Sequence, residues 1–187
     1  MLSFPFEDFL ASVDLSLLAE SLSQSWGWME PLRGLRPVSL TLAGDVFLVD
    51  AANAIYLLDT NYAVVERVAS SPDQFRARLQ DETFFRSITR ANFVLEMRAR
   101  NVIPMHNECY LLAVSPALGG AVTADRARAG NFQALLEWLG QLNQSTGGLA
   151  IGQPFRLVFP DWPGGAAPAS AGSVSKHPRD RASFQES

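Results

Sequence analysis

The sequence predicts an α+β fold: an antiparallel β-meander packed against several helices, followed by a disordered carboxy-terminal tail. Four short β-rich runs lie between Pro37 and Ala69, and turn-prone residues separate them. Apolar residues recur at helical spacing over residues 6–24, 72–100 and 130–145. Consecutive strands joined by short turns pair antiparallel, and amphipathic helices bury their apolar faces against such a sheet.

The chain is predicted to form one domain, over residues 1–160. Its 187 residues, 48% of them hydrophobic, are enough for one well-filled core. Beyond Pro160 the sequence is rich in Pro, Gly, Ala and Ser and has few large apolar side chains. Residues 161–187 are therefore predicted to be disordered.

The first helix is predicted over residues 6–24. Apolar side chains recur there at spacings of three and four, namely Phe6, Phe9, Leu10, Val13, Leu17, Leu18 and Leu22. Gly27 and Pro31 both disfavour helix continuation, so the helix is expected to end just before them. Trp26 and Trp28 flank Gly27 and are expected to pack against the core.

Four strands follow, at residues 38–42, 46–49, 54–58 and 64–68. The connections between them are Ala43-Gly44-Asp45, Ala51-Ala52-Asn53 and Asp59-Thr60-Asn61. Gly and Asn tolerate a positive φ, and Asp and Asn hydrogen-bond to nearby backbone, as hairpin turns require. The pattern therefore predicts a meander.

Two helical stretches come after the meander. Ser71 followed by Pro72 is typical of an N-cap and a first helical residue, so a helix is predicted from there through Leu79. The stretch over residues 81–100 continues at helical spacing. Its arginines are expected on the exposed face, and they are Arg86, Arg90, Arg98 and Arg100.

The rest of the domain alternates between strand and helix. Residues 109–114 are predicted to form a buried strand, and residues 115–120 form the loop that leaves it. Gly119 and Gly120 are expected to serve a tight turn of that loop. A helix within residues 130–145 follows, and a last strand at residues 155–159 is expected to join the sheet.

Composition and charge narrow the class of protein. The net charge is −4 and the pI about 5.1, which argues against a general nucleic-acid binder. Cys109 is the single cysteine, so no internal disulfide forms and a reducing compartment is favoured. Glu7 and Asp8 stand where a signal peptide carries basic residues, and no apolar run reaches about 18 residues. The sequence therefore predicts a cytoplasmic protein with no membrane span.

No motif favours metal or phosphate chemistry. His106 and Cys109 lie close together in sequence, but no second cluster of ligands accompanies them. Gly119-Gly120 lacks the lysine and the spacing of a phosphate loop. We therefore expect neither a metal nor another cofactor.

Acidic residues at strand ends are the remaining candidates for catalysis. Asp45, Asp50 and Asp59 could be brought together by turns, although turn chemistry explains them equally well. The sequence thus predicts a protein that is not an enzyme. A small hydrolase that uses Asp45, Asp50 or His106 is a minor alternative.

Six segments, in their order and spacing, resemble a known family, the carboxy-terminal domain of immunity proteins that guard bacteria against their own type VI secretion nuclease effectors. These segments are Trp26-Gly27-Trp28 with Pro31-Leu32, Gly44-Asp45-Val46-Phe47-Leu48, Ala54-Ile55-Tyr56-Leu57-Leu58-Asp59-Thr60, Cys109-Tyr110, Pro116-Ala117-Leu118-Gly119-Gly120 and Leu139-Gly140-Gln141. The similarity covers roughly residues 25 to 160. Asn143 stands where the resemblance would lead us to expect a histidine, and the GAD-like domain that often precedes this family is not matched here.

The resemblance implies a protein that binds a cognate secreted nuclease toxin, a metal-dependent DNase of the HNH-like class, in the cytoplasm of the producing cell. It implies no catalytic residues. The alternative is a non-enzymatic adaptor or regulatory module whose partner is not a toxin.

The charge distribution suggests how a nuclease would be bound. Residues 1–60 hold eight acidic side chains and two arginines, and a nuclease needs a cationic surface to hold phosphates. We therefore expect stoichiometric occlusion of that surface, with association accelerated by charge complementarity. The expected toxin contacts are Glu30, Asp45, Asp50 and Asp59, with Tyr56 or Tyr62 as the aromatic anchor.

Overall fold

The α+β class is confirmed by the structure, a computed structural model that describes residues 5–148, 154–155 and 172–173. The strands are β1 (Arg36–Leu40), β2 (Val46–Val49), β3 (Ile55–Asp59), β4 (Val64–Ala69), β5 (Glu108–Leu112), β6 (Ala127–Asn131), β7 (Pro154–Phe155) and β8 (Gly172–Ser173). The helices are α1 (Leu15–Trp26), α2 (Pro72–Arg78), α3 (Glu82–Thr89), α4 (Ala91–Ala99) and α5 (Phe132–Thr146). Short 3₁₀ turns lie at Phe6–Phe9, Glu30–Leu32 and Ala124–Arg126.

The predicted meander forms the central sheet. β1 to β4 lie in sequence order and pair antiparallel. Alternate side chains of the middle strands point to opposite faces, as the pleat of a strand requires. Leu48 and Leu58 pack against α1 and α5, whereas Phe47 and Leu57 pack against Phe75 of α2 and the apolar side of α3. The sheet is therefore covered by helices on both faces.

The predicted beginning of the first helix, at residue 6, is wrong. Residues 6–9 form a single 3₁₀ turn, Leu10 forms a bridge with Thr41, and α1 begins only at Leu15. The Asp14 carboxylate accepts hydrogen bonds from the amides of Ser16 and Leu17, so Asp14 caps α1. The apolar spacing continues across the break because residues on both sides of it reach the core. The predicted end is confirmed, since α1 stops at Trp26.

The predicted helix over residues 81–100 is interrupted. α3 and α4 are separated by Arg90, whose backbone is left-handed, with φ 50° and ψ 44°. The expected start at Pro72 is confirmed, because the Ser71 hydroxyl accepts a hydrogen bond from the amide of Gln74. Asp81 caps α3 in the same way through the amides of Thr83 and Phe84.

Between β5 and α5 lies a strand that was not predicted. β5 pairs with β6, whose first three residues had no predicted structure and whose last two were placed in the predicted helix over residues 130–145, and α5 follows with Asn131 as its cap. The loop after β5 depends on its two glycines as predicted. Gly119 has a φ of 82°, and a Cβ at Gly120 would lie 2.1 Å from the Val114 carbonyl oxygen.

The carboxy-terminal predictions lie largely outside the described residues. Phe155 is the described residue of the predicted last strand, and it lies in β7, which pairs with β8 in a separate two-stranded sheet and not with the meander. The expectation that this strand joins the central sheet is therefore wrong for Phe155, and the predicted disorder of residues 161–187 is wrong for Gly172–Ser173, which form β8. The remaining residues of the predicted tail, and the domain boundary at residue 160, lie outside the described residues.

The longest helix of the described residues, α5, has 15 residues, and no helix among them combines the length and the hydropathy that crossing a bilayer requires.

Candidate functional site

Asp45 and Asp59 meet in the interior, on either side of one guanidinium. Arg90 Nε lies 2.8 Å from Asp45 Oδ2, and Arg90 Nη2 lies 3.1 Å from Asp59 Oδ2. All three side chains are largely buried, and that of Arg90 is 13% exposed. We call this group of three residues the arginine hub. It joins the β1–β2 turn, the end of β3 and the break between α3 and α4.

Further buried polar groups surround the hub. The amide of Thr60 donates to Asp45 Oδ1, and the Thr60 hydroxyl donates to the Gly44 carbonyl. The Asn143 side chain of α5 donates to the Thr60 carbonyl at 3.0 Å. Asn143 thus links α5 to the turn beside the hub.

The hub keeps its cation charged. Burial opposes the charged form of the Arg90 guanidinium, but the carboxylates of Asp45 and Asp59 more than offset this and raise its pKa above the ordinary value. A carboxylate that is paired with arginine and withdrawn from solvent has no access to a substrate in this structure. This arrangement can hold two turns and a helix break together.

The expectation that Asp45 and Asp59 are accessible at strand ends is therefore wrong, because both are buried against Arg90. The exposed position expected for Arg90 is wrong for the same reason. No local sequence signal marks this pairing, since Arg90 lies 45 and 31 residues from its two partners.

Asp50 and Tyr56 form a separate pair. Asp50 follows β2 and lies at the opposite end of the meander from Asp45. Its carboxylate accepts hydrogen bonds from the amides of Ala52 and Ala54 and from the Tyr56 hydroxyl. The bond from Ala54 is the main cause of a lowered Asp50 pKa, and the hydrogen bond to Asp50 raises the pKa of Tyr56. Both residues are partly accessible, so their role as toxin contacts stays a prediction.

The other two predicted contacts lie apart from this pair. Glu30 is exposed and forms an ion pair with Arg33 at 2.9 Å. Tyr62 is partly buried in the β3–β4 turn. The structure therefore brings together Asp45 with Asp59, and Asp50 with Tyr56, but it does not gather the predicted residues into one surface.

His106 and Cys109, which lie close together in sequence, contact other parts of the fold. His106 Nδ1 lies 3.1 Å from the Ser12 hydroxyl, and Cys109 is fully buried in β5, where burial raises the pKa of its thiol. In the part of the chain that the structure describes, no group of three His, Cys, Asp or Glu side chains is placed to hold a metal ion.

The helices α1 and α5 carry no positively charged side chain. Neither helix contains Lys, Arg or His. Between them lies a polar groove of about 300 Å³, and its lining residues are Ser21, Gln24, Ser25, Gln133, Glu137, Gln141 and Gln144. We call these residues together with Glu20 the acidic face.

The two glutamates of the acidic face have no cationic partner within residues 5–148. Glu20 accepts a hydrogen bond from Gln24, and Glu137 accepts one from Gln141. Glu30 and the acidic residues of α2, α3 and α4 differ in this respect, because each of them forms an ion pair with a nearby arginine. These pairs are Glu30–Arg33, Asp73–Arg76, Glu82–Arg86 and Glu96–Arg100. The acidic face was not among the predicted contacts, although the absence of basic residues from both helical segments is visible in the sequence.

Comparisons with known proteins add little. No family model matches this chain, and no curated protein does. The crystal structure of Atu4351 from Agrobacterium tumefaciens is similar, with a TM-score of 0.47 and 12% sequence identity over 75% of this chain. The chain spans 66% of the length of that protein. A likeness of this size carries no argument about function, so the resemblance to type VI immunity proteins stays a prediction.

Proposed function

We propose that this protein is an immunity protein that binds a cognate type VI secretion nuclease toxin in the cytoplasm of the producing cell and neutralises it by stoichiometric occlusion. The observation that carries the proposal is the acidic face, whose carboxylates have no compensating cation while those on α2, α3 and α4 do. The family resemblance of the sequence supports the same function.

The physical argument rests on charge complementarity. A DNase holds its substrate through a cationic surface that contacts phosphates. An exposed surface with acids, glutamines and serines and no basic side chain attracts such a surface and offers it hydrogen-bond partners. Long-range attraction of this kind raises association rates by factors of roughly 10–1,000. A protein that occupies the phosphate-binding surface excludes DNA from it.

Plasmid cleavage tests the function directly, with the nuclease domain of the effector whose gene lies beside the gene for this protein. The nuclease is titrated with this protein, and an immunity protein against an unrelated toxin serves as the control. We expect cleavage to stop at about one equivalent, as tight stoichiometric binding requires. Cleavage that continues undiminished at a tenfold excess would overturn the proposal and favour the adaptor alternative.

Charge reversal on the acidic face tests how the toxin is recognised. The double variant Glu20→Lys/Glu137→Lys is expected to slow association with the nuclease by about tenfold or more at low salt. Association rates measured by surface plasmon resonance at two salt concentrations would show this. The matched control is Asp73→Lys/Glu96→Lys, which makes the same change of charge on α2 and α4. Equal slowing by both variants would show that net charge, and not the acidic face, governs association.

A further inference from the structure

The polar groove between α1 and α5 is held open by contacts that fix the two helices against each other. The Asn107 side-chain oxygen accepts from the amide of Asp14, the cap of α1, and the Asn107 carbonyl accepts from the amide of Phe132, the first residue of α5. Further along, a Cβ at Gly140 would lie 2.4 Å from the Ser25 carbonyl oxygen. The two helices therefore begin at the same end and stay in close backbone contact, so the groove has a defined shape.

Each helix carries a glutamate that is followed four residues later by a glutamine. Gln24 Nε2 donates to Glu20 Oε1 at 2.9 Å. Gln141 Nε2 donates to Glu137 Oε1 at 3.3 Å. Because a carboxylate can only accept hydrogen bonds, the amide nitrogen faces it and the amide oxygen stays free to accept. Gln24 and Gln141 both line the groove.

Ser21 adds a further acceptor to the groove lining. Its hydroxyl donates to the Leu17 carbonyl at 2.7 Å, and a hydroxyl has one proton to donate. The Ser21 oxygen, which lines the groove, can therefore only accept from a ligand. The groove thus combines acceptors from both helices and suits a ligand rich in N–H donors.

Glu137 decides the charge of that ligand. It is the charged residue among those that line the groove, and within residues 5–148 it has no cationic partner. A partner that covered the groove without a positive charge would withdraw this carboxylate from water with no counterion, which is costly. The ligand that fits the groove therefore carries a cation.

Arginine matches the groove better than lysine does. Its guanidinium has five N–H donors in one plane and no acceptor, so it can bond a carboxylate and amide oxygens on both walls at once. A lysine ammonium has three donors around one atom and spans less of a groove of about 300 Å³. Arginine is also a side chain that proteins use to hold phosphates.

We infer that the polar groove receives an arginine side chain of the cognate nuclease, with Glu137 as the counterion of its guanidinium and the amide oxygens of Gln24 and Gln141 as further acceptors. This inference rests on the proposed function and names the toxin group that the acidic face holds. An arginine from the phosphate-binding surface that is bound in the groove no longer contacts DNA, so its capture contributes directly to inhibition.

The variant Glu137→Gln tests the inference, with the full-length protein and the nuclease domain as binding partners. The substitution keeps the shape of the side chain and removes its charge. At about 0.5 M salt, where long-range steering is screened, we expect the Kd to rise by about 30-fold or more through faster dissociation. Glu20→Gln is the matched control, because Glu20 has the same kind of hydrogen bond from a glutamine but does not line the groove. Its Kd is expected to stay within about threefold of that of the unmodified protein.

Replacing the surface arginines of the nuclease domain with alanine, one at a time, identifies the bound group. We expect one such variant to weaken binding to the unmodified protein by about 30-fold or more and binding to Glu137→Gln by about threefold or less, since the two groups act as a pair. Equal Kd values for Glu137→Gln and Glu20→Gln, or no arginine coupled to Glu137, would overturn the inference and leave the proposed function standing. If the unmodified protein does not bind the nuclease at all, the proposed function itself fails.

Discussion

Replacing Arg90 with methionine is expected to lower the free energy of unfolding by about 3–5 kcal/mol, because it leaves two buried carboxylates without their cation. The Arg90 guanidinium lies between Asp45 and Asp59 and forms an ion pair with each of them. Methionine has a similar length and no charge, so the loss reports on electrostatics more than on volume. Chemical denaturation monitored by tryptophan fluorescence would measure it.

Two comparisons make this result specific to the hub. Arg86→Met removes an exposed arginine whose ion pair with Glu82 contributes at most about 1 kcal/mol. Adding Asp45→Asn and Asp59→Asn to Arg90→Met is expected to recover part of the loss, because neutral amides no longer need a cation. A loss below about 1 kcal/mol for Arg90→Met alone would contradict the buried ion pairs and the role assigned to them.

The meander could be predicted because its signals are local. Each turn depends on residues within it, such as Gly44, which has a φ of 90°, and Asn53, which has a φ of 62°. Asp50 shows the same locality, since its carboxylate binds amides two and four residues ahead. Strand order then follows from the short connections, which leave antiparallel neighbours as the simplest arrangement.

The helix boundaries were harder to predict, because the spacing of apolar residues can continue across a break between two helices. On each side of Arg90, residues such as Phe85 and Val94 reach one core cluster, so the spacing reads as one helix. The left-handed conformation of Arg90 is unusual for a long side chain. It accompanies ion pairs to Asp45 and Asp59, which are distant in sequence and therefore invisible to a periodicity argument.

The candidate site also combines features that nearby residues determine with features that depend on residues distant in sequence. The acidity of the first 60 residues predicted an electronegative protein, but it could not separate buried carboxylates from exposed ones. In the sequence, Asp45, Asp50 and Asp59 all lie beside predicted turns. In the structure, Asp45 and Asp59 differ from Asp50 because they are buried and paired with Arg90. The acidic face was predictable in part, because two helical segments without a basic residue are visible in the sequence.

Replacing Trp26 with alanine is expected to destabilise the protein by about 3–5 kcal/mol, because it empties a large site in the core between α1 and α5. Trp26 is fully buried, and its indole Nε1 donates to the Leu136 carbonyl of α5 at 2.9 Å. It packs in the cluster that includes Leu22 and Leu139. Thermal and chemical unfolding would measure the loss.

Further substitutions at Trp26 and Trp28 test whether this packing also matters for the proposed interface. Trp26→Phe removes the hydrogen bond and part of the ring, and we expect a loss of about 1–2 kcal/mol. Trp28→Ala is the matched control, since Trp28 is 37% exposed and should cost about 1 kcal/mol or less. Because Trp26 joins the two helices that carry Glu20 and Glu137, we expect Trp26→Ala also to weaken nuclease binding. Unchanged affinity in a folded Trp26→Ala protein would show that the toxin does not need the relative placement of α1 and α5, and would count against the acidic face as its binding surface.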